Sequence, residues 1–234
     1  MTTRRWFTDH PEWLTLTIAA VLWVPLIVAL GGTFTLDHHH GPDGSPHPST
    51  GFDTHLVLWV VMVAAMMLPT TVPHLRYVGF NTRGSRRQRS ILLFVLGYLA
   101  VWSGPGFVLA LLPMPVPAAV LVIVILVAGG WELTAAKRLA MRRCCRTWPV
   151  RYTGAAADAS AVEYGLRHGG YCLLVSGPAM VALMLAGHPG WATVVLAVLM
   201  SAQKLLTQPH RWRTLVALGW LATGLAVAGA TAFD

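Results

Sequence analysis

Charge is scarce in this chain. Only 11% of its 234 residues are Asp, Glu, Lys or Arg, where an ordinary globular protein carries about 25%. A water-facing surface is not built from so little charge, and with 55% hydrophobic residues the expected solvent is the bilayer. Acid is scarcest: nine Asp and Glu stand against 17 Lys and Arg, a formal net charge of +8. Cysteine is nearly absent, and the three present, Cys144, Cys145 and Cys172, are too few and odd in number for a disulfide framework. The phosphate-binding glycine loop, the GxSxG elbow and the HExxH helix are also missing. Nothing therefore supports a hydrolase, and catalysis is the least supported class of function.

What the chain has is long apolar runs. A spanning helix needs about 20 mostly apolar residues, and seven stretches qualify or nearly do: 14–35, 55–72, 91–112, 116–136, 169–186, 191–206 and 214–233. The fifth and sixth are short. The fifth extends backward through the proline-free stretch 155–168, and the sixth ends at Gln203 and Lys204, where a lysine can snorkel to the interface. The basic start at Arg4 and Arg5 reads as the flank of a span and not as a cleavable leader, because the apolar run after it is long enough to cross.

The placement of basic residues orders these spans. Arg4 and Arg5 precede the first. Arg76, Arg83, Arg86, Arg87 and Arg89 lie between the second and third. Lys137, Arg138, Arg142, Arg143, Arg146, Arg151 and Arg167 lie between the fourth and fifth. Lys204, Arg211 and Arg213 fall between the sixth and seventh, completing the set of 17. The other connections hold none. Perfect alternation is what the positive-inside rule requires of seven spans with the N-terminus inside. The expected fold is an all-α polytopic membrane bundle with seven transmembrane helices, N-terminus in the cytoplasm and C-terminus outside. It forms one integral membrane domain over 1–234, with a His-rich outer loop 37–54 and basic inner loops 76–90, 137–168 and 204–213. Basic residues spread over four juxtamembrane segments also exclude a nucleic-acid partner.

Pro113, Pro115 and Pro117 mark a tight outer turn between spans three and four, as Gly187, Pro189 and Gly190 do between five and six. Gly165 and Gly169 are a small-xxx-small pair. It either lets two helices approach closely or gives a flexible start to span five.

Candidate chemistry lies in three tiers. The outer loop carries His38, His39, His40 and His47, with Asp37, Asp53 and His55 nearby and His188 in another outer loop. Imidazole and carboxylate bind zinc, copper or nickel, so the loop either collects metal or is a polar spacer whose histidines happen to cluster. Within the spans, Met62 and Met66 are four residues apart, hence on one face, with Met67 beside them. Met180 and Met184 repeat the spacing, and Met200 lies in span six. At about 1.5 Å rise per residue their depths overlap. Thioether sulfur suits Cu(I), yet methionine is also a flexible apolar filler, and spacing leaves both open. Toward the inner side come Cys172, Cys144 and Cys145, thiols still softer than thioethers or inert small residues. This outside-to-inside order of imidazole, thioether and thiol suits passage of a soft ion toward the cytosol. Glu132 is the carboxylate embedded late in a span. Such acids are functional candidates, and here pairing with Lys137, Arg138 or Lys204 is the simpler account.

The stretch Trp59, Met62, Ala65, Met66, Met67 and Pro69 resembles the signature of a bacterial domain-of-unknown-function family described as predicted metal-binding integral membrane proteins. Further landmarks agree: Lys137 leading to Cys144, Cys145, Arg146 and Pro149; Gly165 and Gly169 before Cys172; then Met180 and Met184; then Gln203 and Lys204. The similarity runs from about Trp59 to Lys204 and implies copper or another transition metal rather than a reaction.

The leading expectation is a membrane protein that binds, passes or delivers a soft transition metal, copper foremost, with the lipid bilayer and a metal chaperone as partners. The alternative is a non-catalytic assembly or accessory subunit of a membrane oxidoreductase, bound to other membrane subunits, its methionines serving as packing surface. The topology is directly testable. A reporter active only in the cytosol works when fused after Arg89, Arg151 or Arg211 and fails after Asp43, His188 and Asp234; cytosolic activity at Asp234 overturns the seven-span arrangement.

Overall fold

The computed structural model describes residues 10–31, 52–112, 116–187, 190–205 and 209–232. Among them every element is helical. In chain order these are α1 (Trp13–Gly31), α2 (Phe52–Met67), a 3-10 turn (Leu68–Thr71), α3 (Val72–Phe80), a second 3-10 turn (Gly84–Arg86), α4 (Arg87–Ala110), α5 (Ala118–Leu133), α6 (Ala135–Cys144), α7 (Gly154–Leu185), α8 (Gly190–Leu205) and α9 (Pro209–Ala232).

Among the described residues, three continuous helical stretches are long and apolar enough to cross a membrane: Leu56–Phe80, Gly84–Ala110 and Gly154–Leu185. The α5–α6 pair makes a fourth if its 70° bend is taken within one broken span. Trp13–Ile27, Ala192–Leu205 and Thr214–Gly229 are shorter apolar helices. The flanks carry large apolar side chains in the open, such as Val24 at 62% and Leu225 at 67% exposure. Apolar surface of this extent marks contact with a membrane or another protein.

The helices run past the edges of the apolar runs. The segment 76–90 contains the end of α3 and the start of α4, and 137–168 contains most of α6 and the first half of α7. The polar ends of these helices are tied by ion pairs. Asp158 meets Arg86 at 2.7 Å and Arg89 at 2.8 Å, and Glu12 meets Arg76 at 3.3 Å. α7 is one unbroken helix through the proline-free backward extension, with Pro178 inside it. The carbonyl of Leu174 would ordinarily bond the N–H four residues on, which Pro178 lacks; the Trp131 indole N–H donates to it instead at 2.8 Å. This bond locks α5 against α7.

α4 and α7 pack along most of their length, backbone to backbone. A Cβ added at Gly165 would stand 2.1 Å from the Phe94 carbonyl oxygen, one at Gly97 2.6 Å from the Val162 oxygen, and one at Gly169 3.0 Å from the Tyr98 oxygen. The pair Gly165 and Gly169 is therefore a close-contact seam and not a flexible start. α2 lies against α4, where Trp59 donates its indole N–H to the Trp102 carbonyl at 2.7 Å. Met62, Val63, Ala65, Met66 and Met67 on α2 are all buried, as are Met180 and Met184 on α7 and Met200 on α8, in one apolar cluster.

The seam predicts a sharp contrast between neighbouring glycines. Gly165→Ala drives a methyl into backbone, and overpacking of this kind costs about 1–3 kcal/mol or more. Gly170→Ala meets nothing within 4 Å and leaves stability unchanged or raises it by up to about 1 kcal/mol through helix propensity. Thermal unfolding of both variants in detergent measures the difference; equal stability contradicts the seam.

Candidate metal centre

The break between α2 and α3 builds one side of the centre. Pro69 and Pro73 cannot donate to a helical ladder, and the chain answers with a 3-10 turn. The Thr70 hydroxyl donates to the Met67 carbonyl and the Thr71 hydroxyl to the Leu68 carbonyl, each at 2.7 Å. Met67 and Thr70 are both buried, and the turn presents both to α8. There Lys204, in the last turn of α8, donates toward Thr70 Oγ1 at 3.4 Å and Met67 Sδ at 3.6 Å.

The same ammonium lies 2.9 Å from Cys172 Sγ on α7. Cys172 is fully buried, 3.1 Å from the Tyr98 hydroxyl on α4, and hydrogen-bonded to the Cys144 thiol. Cys144 is buried at the end of α6, Cys145 beside it is exposed, and all three cysteines are free thiols. Two thiols and a thioether from α7, α6 and α2 thus gather around one lysine. Lys204 does not snorkel: its stem turns inward because the sulfurs and Thr70 offer its ammonium partners.

A second polar group holds the elbow between α5 and α6. Thr134 is extended between the two helices and caps α6 by accepting from the Lys137 backbone N–H at 3.1 Å, while its hydroxyl donates to the Trp131 carbonyl at 2.8 Å. Glu132 and Lys137 sit on either side of this bend, both buried, and form an ion pair. Gln203 closes the triad, donating to Glu132 Oε2 at 3.2 Å and accepting from Lys137 at 3.4 Å. Of the three cations available in the sequence, Glu132 pairs with Lys137. Adjacent residues of α8 thus serve adjacent clusters, Gln203 the elbow and Lys204 the sulfurs.

Two imidazoles complete the surroundings. His74 on α3 and His168 on α7 lie with ring centroids 4.0 Å apart. His74 Nδ1 is 2.6 Å from the Tyr164 hydroxyl, and His168 stacks on Tyr98 at 5.7 Å and hydrogen-bonds the Cys144 backbone. Sequence reasoning passed over His74, His168, Tyr98 and Thr70. One signal was available: Tyr164, His168 and Cys172 recur every four residues and so share a helix face.

Among the described residues no three His, Cys, Asp or Glu side chains converge as a metal cage. The convergence is of sulfur, the donor type that selects a soft ion such as Cu(I). A family model for PpoB2, a copper chaperone, matches residues 56–227. The chain belongs to the PpoB2 copper chaperone family. No curated protein and no solved structure matches it.

Membership of the copper chaperone family gives the chain a copper-handling role, and the matched residues include Met67, Cys144, Cys172 and Lys204. The metal-family character implied by the span-two signature stands, under a copper chaperone's description. Of the outer ligands expected from sequence, His38, His39, His40 and His47 lie outside the described residues, as does His188. His55 falls near the start of α2, its side chain likewise outside them. Met62, Met66, Met180 and Met184 are packed inside the bundle.

The buried elbow pair carries its own prediction. Lys137→Met strands the Glu132 carboxylate and costs about 3–5 kcal/mol; adding Glu132→Gln to the same protein recovers part of the loss. Thermal unfolding of the single and double variants reads this directly. A loss within about 1 kcal/mol, the range of an exposed pair, contradicts a dry elbow.

Proposed function

We propose that this copper chaperone spans the bilayer seven times, with its basic segments and N-terminus in the cytoplasm, and binds Cu(I) as cargo through Cys172, Cys144 and Met67. One observation carries the reading: two thiols and a thioether, remote in sequence, come together at Lys204. Buried sulfur disfavours calcium and magnesium, which take oxygen donors, and two thiols with a thioether suit a soft monovalent ion better than zinc, whose structural sites take four thiolate or imidazole ligands. Burial also keeps water from the thiols.

Met62, Met66, Met180, Met184 and Met200 belong to the same buried cluster. In this reading they form the route by which the ion reaches the thiols, and the outer histidines His38, His39, His40, His47 and His55 collect it. Cys145, exposed at the end of α6, then offers the first sulfur to an acceptor on the cytoplasmic side. The partners are other metal-handling proteins in or at a bacterial cytoplasmic membrane.

The test is copper content of protein purified without oxygen after Cu(I) loading. Wild type carries stoichiometric copper, while Cys172→Ser and Cys144→Ser lose it and still elute as folded protein. Met62→Leu with Met66→Leu conserves volume and costs under about 1.5 kcal/mol; it slows loading and leaves the final content intact. Full copper in Cys172→Ser refutes the thiol site, and loss of copper in the methionine variant moves the ion to the thioethers.

A further inference from the structure

The chain uses lysine sparingly. Among its 17 basic residues only Lys137 and Lys204 are lysines, and both stand at the two polar clusters of the interior. They are held in opposite ways. Lys137 is fully buried and clamped between Glu132 and Gln203. Lys204 is only part-buried, in the last turn of α8, and its contacts are Cys172 Sγ at 2.9 Å, Thr70 Oγ1 at 3.4 Å and Met67 Sδ at 3.6 Å.

Three donors from three elements meeting on one cationic atom is the arrangement a bound metal ion would have. A lysine ammonium is a compact unit charge on a flexible four-carbon stem. Cu(I) carries the same unit charge and prefers the same sulfurs. Both cations at once would place like charges a few ångströms apart where little water screens them. With neither, a thiolate formed there would be buried without compensation. Exchange of one for the other keeps the cationic charge at the site constant, and a thiol that ligates Cu(I) releases its proton to solvent. The geometry also permits it: Gln203 pins the α8 backbone to the elbow, so the Lys204 side chain can swing toward the interface alone.

We propose that Lys204 is an internal surrogate for the cargo. Its ammonium holds the sulfurs in place in the metal-free protein, is displaced outward when Cu(I) enters, and returns to help expel the ion on delivery. This rests on the thiol-site reading above and assigns that site its release mechanism.

The two lysines make the test clean. Full-length protein in detergent is treated with an amine-acylating reagent, with and without Cu(I), and modification at each lysine is read by peptide mass. Copper raises acylation of Lys204 several-fold and leaves Lys137 unmodified in both states. Competition with a Cu(I) chelator gives the second measurement: Lys204→Gln binds Cu(I) several-fold more tightly and yields it more slowly, whereas Lys204→Arg, which keeps a cation, stays near wild type. Acylation of Lys204 unchanged or lowered by copper overturns the proposal, and so does equal or weaker binding in Lys204→Gln. Should Lys204→Gln not fold, acylation of the wild type decides. Undiminished copper in Cys172→Ser would instead refute the thiol site itself, whatever Lys204 does.

Discussion

The Phe94 carbonyl against Gly165 is the contact on which the arrangement of this protein depends. Only a residue without a side chain lets α7 come that near to α4, and no water or lipid fits between them. The closeness fixes height and rotation together. Tyr98 comes level with Cys172 and His168, and the face of α7 bearing Tyr164, His168 and Cys172 turns toward α3 and the 3-10 turn. α6 then returns along α7 and brings Cys144 to the same place. In lipid, where apolar surface gains nothing by leaving one apolar neighbour for another, such packing and hydrogen bonding are what hold helices together.

The interior charges divide the work of stability and function. Ionised groups within a span are costly and are kept when they pair or act. Glu132 and Lys137 pair with each other, and Gln203 hydrogen-bonds both. Lys204 is compensated by sulfur and a hydroxyl instead. The first cluster is a closed set, and the second is a set of donors held together by a side chain that can leave. Their adjacency at Gln203 and Lys204 means that the rigid cluster positions the exchangeable one.

Much of this was legible in the residues. The four-residue spacing of Met62 and Met66, and of Met180 and Met184, placed them on common faces, and they are buried. Glu132 was legible as a paired acid, and Cys172 as a thiol within the fifth apolar run. Direction was not legible: Lys204 at the end of an apolar run reads as a lysine reaching for the interface, and only the positions of Cys172, Met67 and Thr70 turn it inward. His74 was missed because the apolar run of span two was closed at residue 72, while the threonine hydroxyls take up the local carbonyls and let a helix resume beyond it. The glycine pair stayed ambiguous because a small-xxx-small spacing does not name its partner. The elbow was hidden because Thr134 sits inside an uninterrupted run of helix-compatible residues, and its capping role shows only once Lys137 is drawn back to Glu132.

That elbow has a mechanical meaning. α6 is a ten-residue arm, about 15 Å long at the usual helical rise, hinged at Thr134 and carrying Cys144 at its tip. A rotation of about 10° at the hinge would sweep the tip through about 2.6 Å, as far as a whole metal–sulfur bond of about 2.3 Å. The angular tolerance of the hinge is therefore the positional tolerance of one thiol, and the Glu132, Lys137 and Gln203 triad sits at the pivot, where stiffness has the greatest leverage.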